Sequence, residues 1–281
     1  MLTRPIPASG EAIPVIGLGT WQTFDVGPRA PERGRLQEVL AAFAAEASSD
    51  AADTGGRPMV DTSPMYGNAE TVLGDLMTAR DLRPGLFVAT KVWISGREAG
   101  IQQMEASMRK LRVESVDLMQ VHNLVDVGTH LDTLRGWQRD GRTRYVGVTH
   151  YTASAHEALA QVIARHIVDF LQVNYSVGEP EAERRLLPLA RDRGVAVIVN
   201  RPFGGGGLLR RLTSTPVPAW AGELGCETWG QLLLKWVVSH PAVTCAIPAT
   251  SQPAHLQDNL KAGAGPLPDE ATRAKIAAEA R

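Results

Sequence analysis

The sequence predicts an α/β fold: a (β/α)8 TIM-type barrel with an N-terminal β-hairpin and an extra C-terminal helix, in one domain over residues 1–281. Three observations carry this. Short apolar runs, each followed by a stretch of helical periodicity, recur eight times along the chain. Runs apolar on both faces belong to a covered parallel sheet, and eight such units in about 260 residues suit a closed barrel. An open dinucleotide-binding sheet would instead carry Gly-x-Gly-x-x-Gly after its first strand, whereas Gly17-Leu18-Gly19 is followed by Thr20, Trp21 and Gln22.

Taken in order, residues 6–13 read as a hairpin turning at Ser9-Gly10. It has no place in the eight-unit count and suits a cover for the amino-terminal mouth of the barrel. Val15 to Gly19 is the first strand, its glycines allowing close backbone approach. Pro31 to Ala52 is a helix with an inward stripe of Leu36, Val39, Leu40 and Phe43. Met59 to Asp61, Leu86 to Lys91 and Val116 to His122 are the next strands, separated by helices over 69–79 and 98–111. A helix over 131–139, closed by Asp140-Gly141, leads to the strand 145–149. Ser154 is placed as N-cap of a helix to His166, with Glu157 completing a capping box. The strand 170–174, a helix over 181–193 and the strand 195–199 follow, then Asn200-Arg201-Pro202-Phe203 and four glycines. A loop rich in Pro and Thr precedes an apolar helix over 228–239, the last strand 243–247, and helices over 253–260 and 268–280.

Composition narrows the function. With 44% hydrophobic and 21% charged residues the chain is ordinary for a soluble globular protein. Its 29 basic and 30 acidic residues offer no electrostatic case for nucleic acid or an anionic membrane. No apolar run reaches the roughly 18 residues of a membrane span. Cys226 and Cys245 lack metal-site spacing and read as reduced, buried thiols, so no metal centre is expected. Residues 1–14 do not form a signal peptide, which leads to the expectation of a cytoplasmic protein; a signal removed ahead of residue 1 is left open.

Barrel active sites gather at the carboxyl ends of the strands. Trp21, Asp61, Lys91, His122, Thr149, Gln172 and Asn200 fall there, and Tyr66 lies in the loop after Asp61. Asp61, Tyr66, Lys91 and His122 should converge. A lysine beside a phenol favours the phenolate and lowers its pKa, a carboxylate fixes the lysine, and a histidine can orient a carbonyl oxygen. Such a group is a proton-donor site for a developing alkoxide. Each residue also has a plain account: a lysine in a rim ion pair, a hydrogen-bonded structural histidine, an aspartate capping a turn.

From Gly17-Leu18-Gly19-Thr20-Trp21 through Asp61, Tyr66, Lys91-Val92-Trp93 and His122 to Ile247-Pro248 and Asn259, the chain resembles the aldo-keto reductase superfamily. The resemblance implies a barrel that reduces aldehydes and ketones, reversibly, with a nicotinamide cofactor extended across the carboxyl face. It makes Tyr66 the general acid, Lys91 and Asp61 its tuning pair, and His122 the residue that positions the carbonyl. Trp21 and Trp93, with Tyr66 and His122, resemble the substrate pocket.

The cofactor half departs from the family pattern. Thr149-His150 stands where Ser-Asn is usual, Gln172 matches, and Asn200 replaces an aromatic residue that stacks on nicotinamide, so that either Arg201 or Phe203 compensates or the stacking is weaker. Thr20, Trp21 and Pro202 are further expected contacts, and the stretch from Gly204 to Leu208 is expected to pass the pyrophosphate with its backbone amides; the rival reading of the glycine run is a merely flexible loop. Ala249 and His255 occupy the positions of the lysine and arginine that read a 2'-phosphate; Thr250, Ser251, Asp258 and Asn259 remain as polar contacts. NADPH is the first expectation and NADH the alternative. The short stretch after the last helix implies an open pocket unless Trp220 and residues 210–225 fill it. A monomer is expected, subject to an exposed patch on the 229–238 helix. Two other readings compete: a cofactor-binding regulatory protein on the same fold, and a lyase or isomerase using Lys91 or a metal on Asp61 and His122, for which two ligands are too few.

Overall fold

The computed structural model describes residues 1–54 and 56–280. It begins with an antiparallel hairpin, β1 (Thr3–Pro5) against β2 (Ala12–Pro14). The turn closes through Ser9 and Gly10 amides donating to the Ile6 carbonyl. Eight parallel strands then follow in chain order: β3 (Leu18–Gly19), β4 (Met59–Asp61), β5 (Phe87–Val92), β6 (Val116–His122), β7 (Thr143–Thr149), β8 (Phe170–Asn174), β9 (Ala196–Asn200) and β10 (Val243–Ala246). Each pairs with the next, and parallel bridges from Ile16 to Ala246 and from Gly19 to Ala249 bring the first strand beside the last. This seam needs glycine. A Cβ at Gly17 would stand 2.8 Å from the Met59 carbonyl, and one at Gly19 2.8 Å from the Ile247 carbonyl.

The outer layer is α1 (Glu32–Thr54), α2 (Ala69–Ala79), α3 (Arg97–Leu111), α4 (Val127–Arg139), α5 (His156–Arg165), α6 (Leu186–Asp192), α7 (Gly207–Leu212), α8 (Trp229–Ser239), α9 (Pro253–Lys261) and α10 (Glu270–Glu279). Apolar helix faces and the outward strand residues form one core between the layers. A second cluster fills the lower barrel, where Ile6 and Ile13 of the hairpin meet Phe87, Leu118, Tyr145 and Phe170. The hairpin therefore plugs the amino-terminal mouth. Beside it, Arg57, Arg83 and Arg144 converge on the buried carboxylate of Asp117 at 2.5, 3.0 and 2.9 Å. Among the described residues no helix is long and apolar enough to cross a membrane.

Several elements differ from the sequence-based expectation. The helix over 181–193 is a 3-10 turn (Glu181–Arg184) followed by α6, broken at Arg185 with φ −145° and ψ −46°. Pro188 explains the break, because its ring clashes with a helical carbonyl four residues earlier. Ser154 caps nothing: a 3-10 turn over Ala153–Ala155 leads into α5, and Glu157 pairs with Arg185 instead. The Pro- and Thr-rich stretch contains α7 and a 3-10 turn over Ala219–Leu224, which glycine and proline disguise as loop. α8 is buried from Trp229 to Val238 and presents no exposed patch.

Candidate active site

Strand ends deliver the chemistry. Asp61 closes β4, Lys91 stands next to last in β5, and His122 closes β6. Lys91 has no exposed surface; its Nζ donates to Asp61 Oδ2 at 2.6 Å and to the Thr62 carbonyl at 2.7 Å. The other Asp61 oxygen accepts from Gln120 Nε2 at 3.1 Å and Gln172 Nε2 at 2.9 Å. Both carboxylate oxygens are thus engaged, which is what makes a buried ion pair tolerable. Lys91 Nζ lies 4.9 Å from the centre of the Tyr66 ring. The Tyr66 ring meets His122 edge-on, centroids 6.2 Å apart and planes at 88°. Ser63 Oγ lies 3.3 Å from His122 Nδ1 and accepts from the Met65 amide at 3.2 Å. The sequence-predicted quartet does converge.

Its electrostatics are set by burial and by the Lys91 charge. Burial lowers the pKa of Lys91, but Asp61 and Tyr66 more than reverse this, and the net direction is upward. Burial raises that of Tyr66; Lys91 opposes this and Asp61 reinforces it, leaving the phenol above its ordinary value. The expected net lowering by lysine is therefore not what the resting site has: desolvation outweighs it. Burial first, then the Lys91 charge and His150, push His122 down to about 3, so its imidazole is neutral.

A cavity of about 640 Å³ opens over these groups. One side is aromatic and apolar: Trp21, Met65, Trp93 and Tyr151 line it while remaining 46, 45, 37 and 46% exposed. The other side is polar. Thr149 Oγ1 donates to Gln172 Oε1 at 3.1 Å, and Asn200 Nδ2 reaches the same oxygen at 3.4 Å. Asn200 Oδ1 and Arg201 Nε are buried without a hydrogen-bond partner. Arg201 adopts a left-handed φ of 51° and carries its guanidinium 5.8 Å from the centre of the Tyr151 ring.

Of the sequence-predicted residues, Thr20, Trp21, Asp61, Tyr66, Trp93, His122, Thr149, Gln172, Asn200, Arg201, Pro202, Phe203 and Ala249 line the cavity. Lys91, buried beneath the cavity, and His150, Gly204, Leu208, Thr250, Ser251, His255, Asp258 and Asn259 lie outside that lining. His150 Nδ1 accepts from the Tyr151 and Thr152 amides, Leu208 belongs to the core, and Thr250 Oγ1 accepts from the Gln252 amide at the start of α9. Asp258 holds Thr228 Oγ1 at 2.8 Å and Gln231 Nε2 at 2.6 Å, while His255 is exposed. No residue of 210–225 lines the cavity; Trp220 packs under Lys275 at 4.1 Å. Sequence reasoning missed Ser63, Gln120 and Tyr151. Gln120 carried a signal, being two residues before His122 in a strand and so on the same face. Tyr151 is an aromatic directly after a strand-end histidine; Ser63 carried no separate signal.

Two loops flanking the cavity are tied from outside it. The Trp93 amide donates to Gln103 Oε1 at 2.6 Å, His130 Nε2 lies 2.5 Å from the Ile94 carbonyl, and the Gly96 amide donates to Asp126 Oδ2 at 2.8 Å. Asp25 Oδ1 accepts from the Asn68 amide at 2.8 Å, over Gly67, whose φ of 60° and missing side chain leave room for that carboxylate.

A (β/α)8 barrel with a cavity over the buried ends of its strands hosts many chemistries, and the comparisons with known proteins say which family this one belongs to. The family model described as the aldo/keto reductase family matches residues 15–277, and the chain belongs to that family. It is similar to methylglyoxal reductase YeaE of Escherichia coli (strain K12), 30% identical over 268 residues that cover 92% of this chain and 89% of that one. It is also 30% identical to an aldo-keto reductase of Mycobacterium sp. (strain JLS), over 89% of this chain and 84% of that one. Among solved structures, an aldo-keto reductase from Klebsiella pneumoniae in complex with NADPH matches with a TM-score of 0.80 and 25% identity, covering 98% and 94% of the two chains. Another from the same organism, in complex with NADP and acetate, matches with a TM-score of 0.78 and 26% identity, covering 95% and 91%.

Proposed function

We propose that this protein reduces the carbonyl of a small aldehyde or ketone to the alcohol, reversibly, with Tyr66 giving the proton to the carbonyl oxygen. The observation that carries the reading is the buried Lys91–Asp61 pair at 2.6 Å beneath the Tyr66 ring, at the floor of a cavity with one apolar and one polar side. Tyr66 is protonated at rest and so ready as a donor. Lys91, held in place by Asp61, stabilises the phenolate left when the proton departs. His122, being neutral, orients the carbonyl oxygen beside the phenol, and the Trp21 and Trp93 side chains hold the rest of the substrate and exclude water.

The residues on the cavity wall fit the nicotinamide end of a dinucleotide. Asn200 Oδ1 and Arg201 Nε are buried polar atoms without partners on the cavity wall, and Thr149, Gln172 and Asn200 offer the donors and acceptors that a carboxamide requires. When bound, the reduced nicotinamide supplies the hydride. NADPH is the first choice, since similar structures were solved with NADP or NADPH. Ala249 and the exposed His255 place no fixed positive charge for a 2'-phosphate, so NADH should also serve. The protein is proposed to act as a cytoplasmic monomer on small molecules.

Methylglyoxal is the first substrate to assay, because a similar protein is named for its reduction. Turnover with NADPH or NADH should be followed at the nicotinamide absorbance, for wild type and Tyr66→Phe. Tyr66→Phe should lose about a hundredfold or more in kcat while still binding cofactor. Equal rates for the two would refute the proton-donor role.

A further inference from the structure

We propose that Ser63 is a positioning residue that sets the tautomer of His122: its hydroxyl donates to Nδ1, which leaves the ring proton on Nε2 at the cavity. Ser63 is fully buried, and His122 is only 9% exposed, so the hydrogen bonds of both must be satisfied largely within the protein. Two groups lie within reach of Ser63 Oγ: the Met65 amide at 3.2 Å and His122 Nδ1 at 3.3 Å. An amide can only donate, so the Met65 N–H uses one lone pair of the serine oxygen.

The serine proton then needs an acceptor. If Nδ1 carried the ring proton, Oγ would accept twice, and its own buried O–H would have no acceptor among the described residues. With Nδ1 bare, the amide, the hydroxyl and the ring nitrogen are all satisfied together. A neutral imidazole has one donor and one acceptor nitrogen, and the bond made by one fixes the role of the other. The turn that joins Asp61 to Tyr66 therefore does a second task. It spaces the carboxylate from the phenol, and it orients the proton of a histidine reached from another strand.

This deepens the proposed function, since an Nε2 proton gives His122 a hydrogen bond to donate to a carbonyl oxygen. The tautomer itself needs neither substrate nor cofactor. It is read on the full-length resting protein, labelled with 15N-histidine, by long-range proton–nitrogen correlation. Wild type should show His122 as the Nε2–H tautomer, with Nδ1 at the shift of an unprotonated ring nitrogen. Ser63→Ala should move Nδ1 toward the protonated position as the second tautomer gains population. Ser63→Thr, which keeps the hydroxyl, should retain the wild-type pattern. In the reduction assay Ser63→Ala should lose kcat severalfold with an unchanged cofactor dissociation constant.

An Nδ1–H tautomer in wild type would overturn the proposal, as would a wild-type Nδ1 shift in Ser63→Ala. A shifted tautomer with undiminished kcat would overturn the positioning role. Loss of Oγ also releases the Met65 amide and could disturb the Tyr66 turn; the nitrogen shifts report His122 itself and separate the two effects. Failure of wild type to reduce any carbonyl would sink the proposed reaction and leave the tautomer result standing.

Discussion

Lys91 has no exposed surface, yet its charge is answered by Asp61, which is itself held by Gln120 and Gln172. A charge so fixed acts on Tyr66 without wandering, and its repulsion adds to the burial that keeps His122 neutral. The pH dependence follows. His122 falls from an ordinary 6.5 to about 3, so it gains no proton anywhere near neutrality. Tyr66 lies above its ordinary value, so it stays protonated through neutrality and past it. The kcat for reduction should thus be level across neutral pH and fall only above about pH 10, where a raised tyrosine ionises. An acid limb near pH 6 that disappears in His122→Gln would contradict this. The four residues of this site were legible because each stands at or just beyond a strand end. Ser63 was not, since its importance lies in a partner 59 residues away, and a one-dimensional pattern does not state who meets whom; Gln120 showed its face by its spacing from His122, but not its partner Asp61.

Helix α2 leaves the Tyr66 loop carrying a fully buried carboxyl, Glu70, whose Oε1 accepts from Thr90 Oγ1 at 2.7 Å. Burial raises its pKa in spite of Thr90, Ser107, Lys110 and Lys91. The sign is that of a folded state that resists ionisation: no stability is lost below the unfolded pKa, and stability falls as pH rises from there toward the folded value. Glu70→Gln, which cannot ionise, should therefore have the higher Tm at neutral pH, and the gap should close toward about pH 4. Thermal melts at the two pH values would test it; a gap that widened in acid would refute it. Element existence was readable from periodicity, as α2 and β8 illustrate, both found at the expected residues. Breaks were harder. Arg185 interrupts a helix because of a proline three residues ahead, a local steric effect that amphipathic spacing does not register.

At the scale of the molecule, the barrel separates its holding end from its open end. The hairpin, Asp117 and the three arginines occupy the amino-terminal mouth, and the cavity occupies the carboxyl face. Burial would raise the pKa of Asp117, but Arg83, the Val88 amide, Arg57 and Arg144 more than reverse it. Stability from a lowered carboxylate is present above its unfolded pKa and lost as pH falls through the folded one. Asp117→Asn should cost about 3 kcal/mol in urea unfolding at neutral pH, with the difference from wild type shrinking below about pH 4. The Michaelis constant should not move, since Asp117 lies at the end opposite the cavity. Barrel closure was legible from eight repeated units. The contribution of Arg57, Arg83 and Arg144 was not, because surface-type residues give no sign in sequence that they share one buried anion.

The ties on the Trp93 loop have a consequence for how such a protein diversifies. Gln103 belongs to α3 and His130 to α4, and Asp126 immediately precedes α4. Together they set the pose of an aromatic wall of the cavity without a hydrogen bond to Asp61, Tyr66, Lys91 or His122. Changes in the outer ring of helices can thus reshape the cavity wall while Asp61, Tyr66, Lys91 and His122 stay as they are.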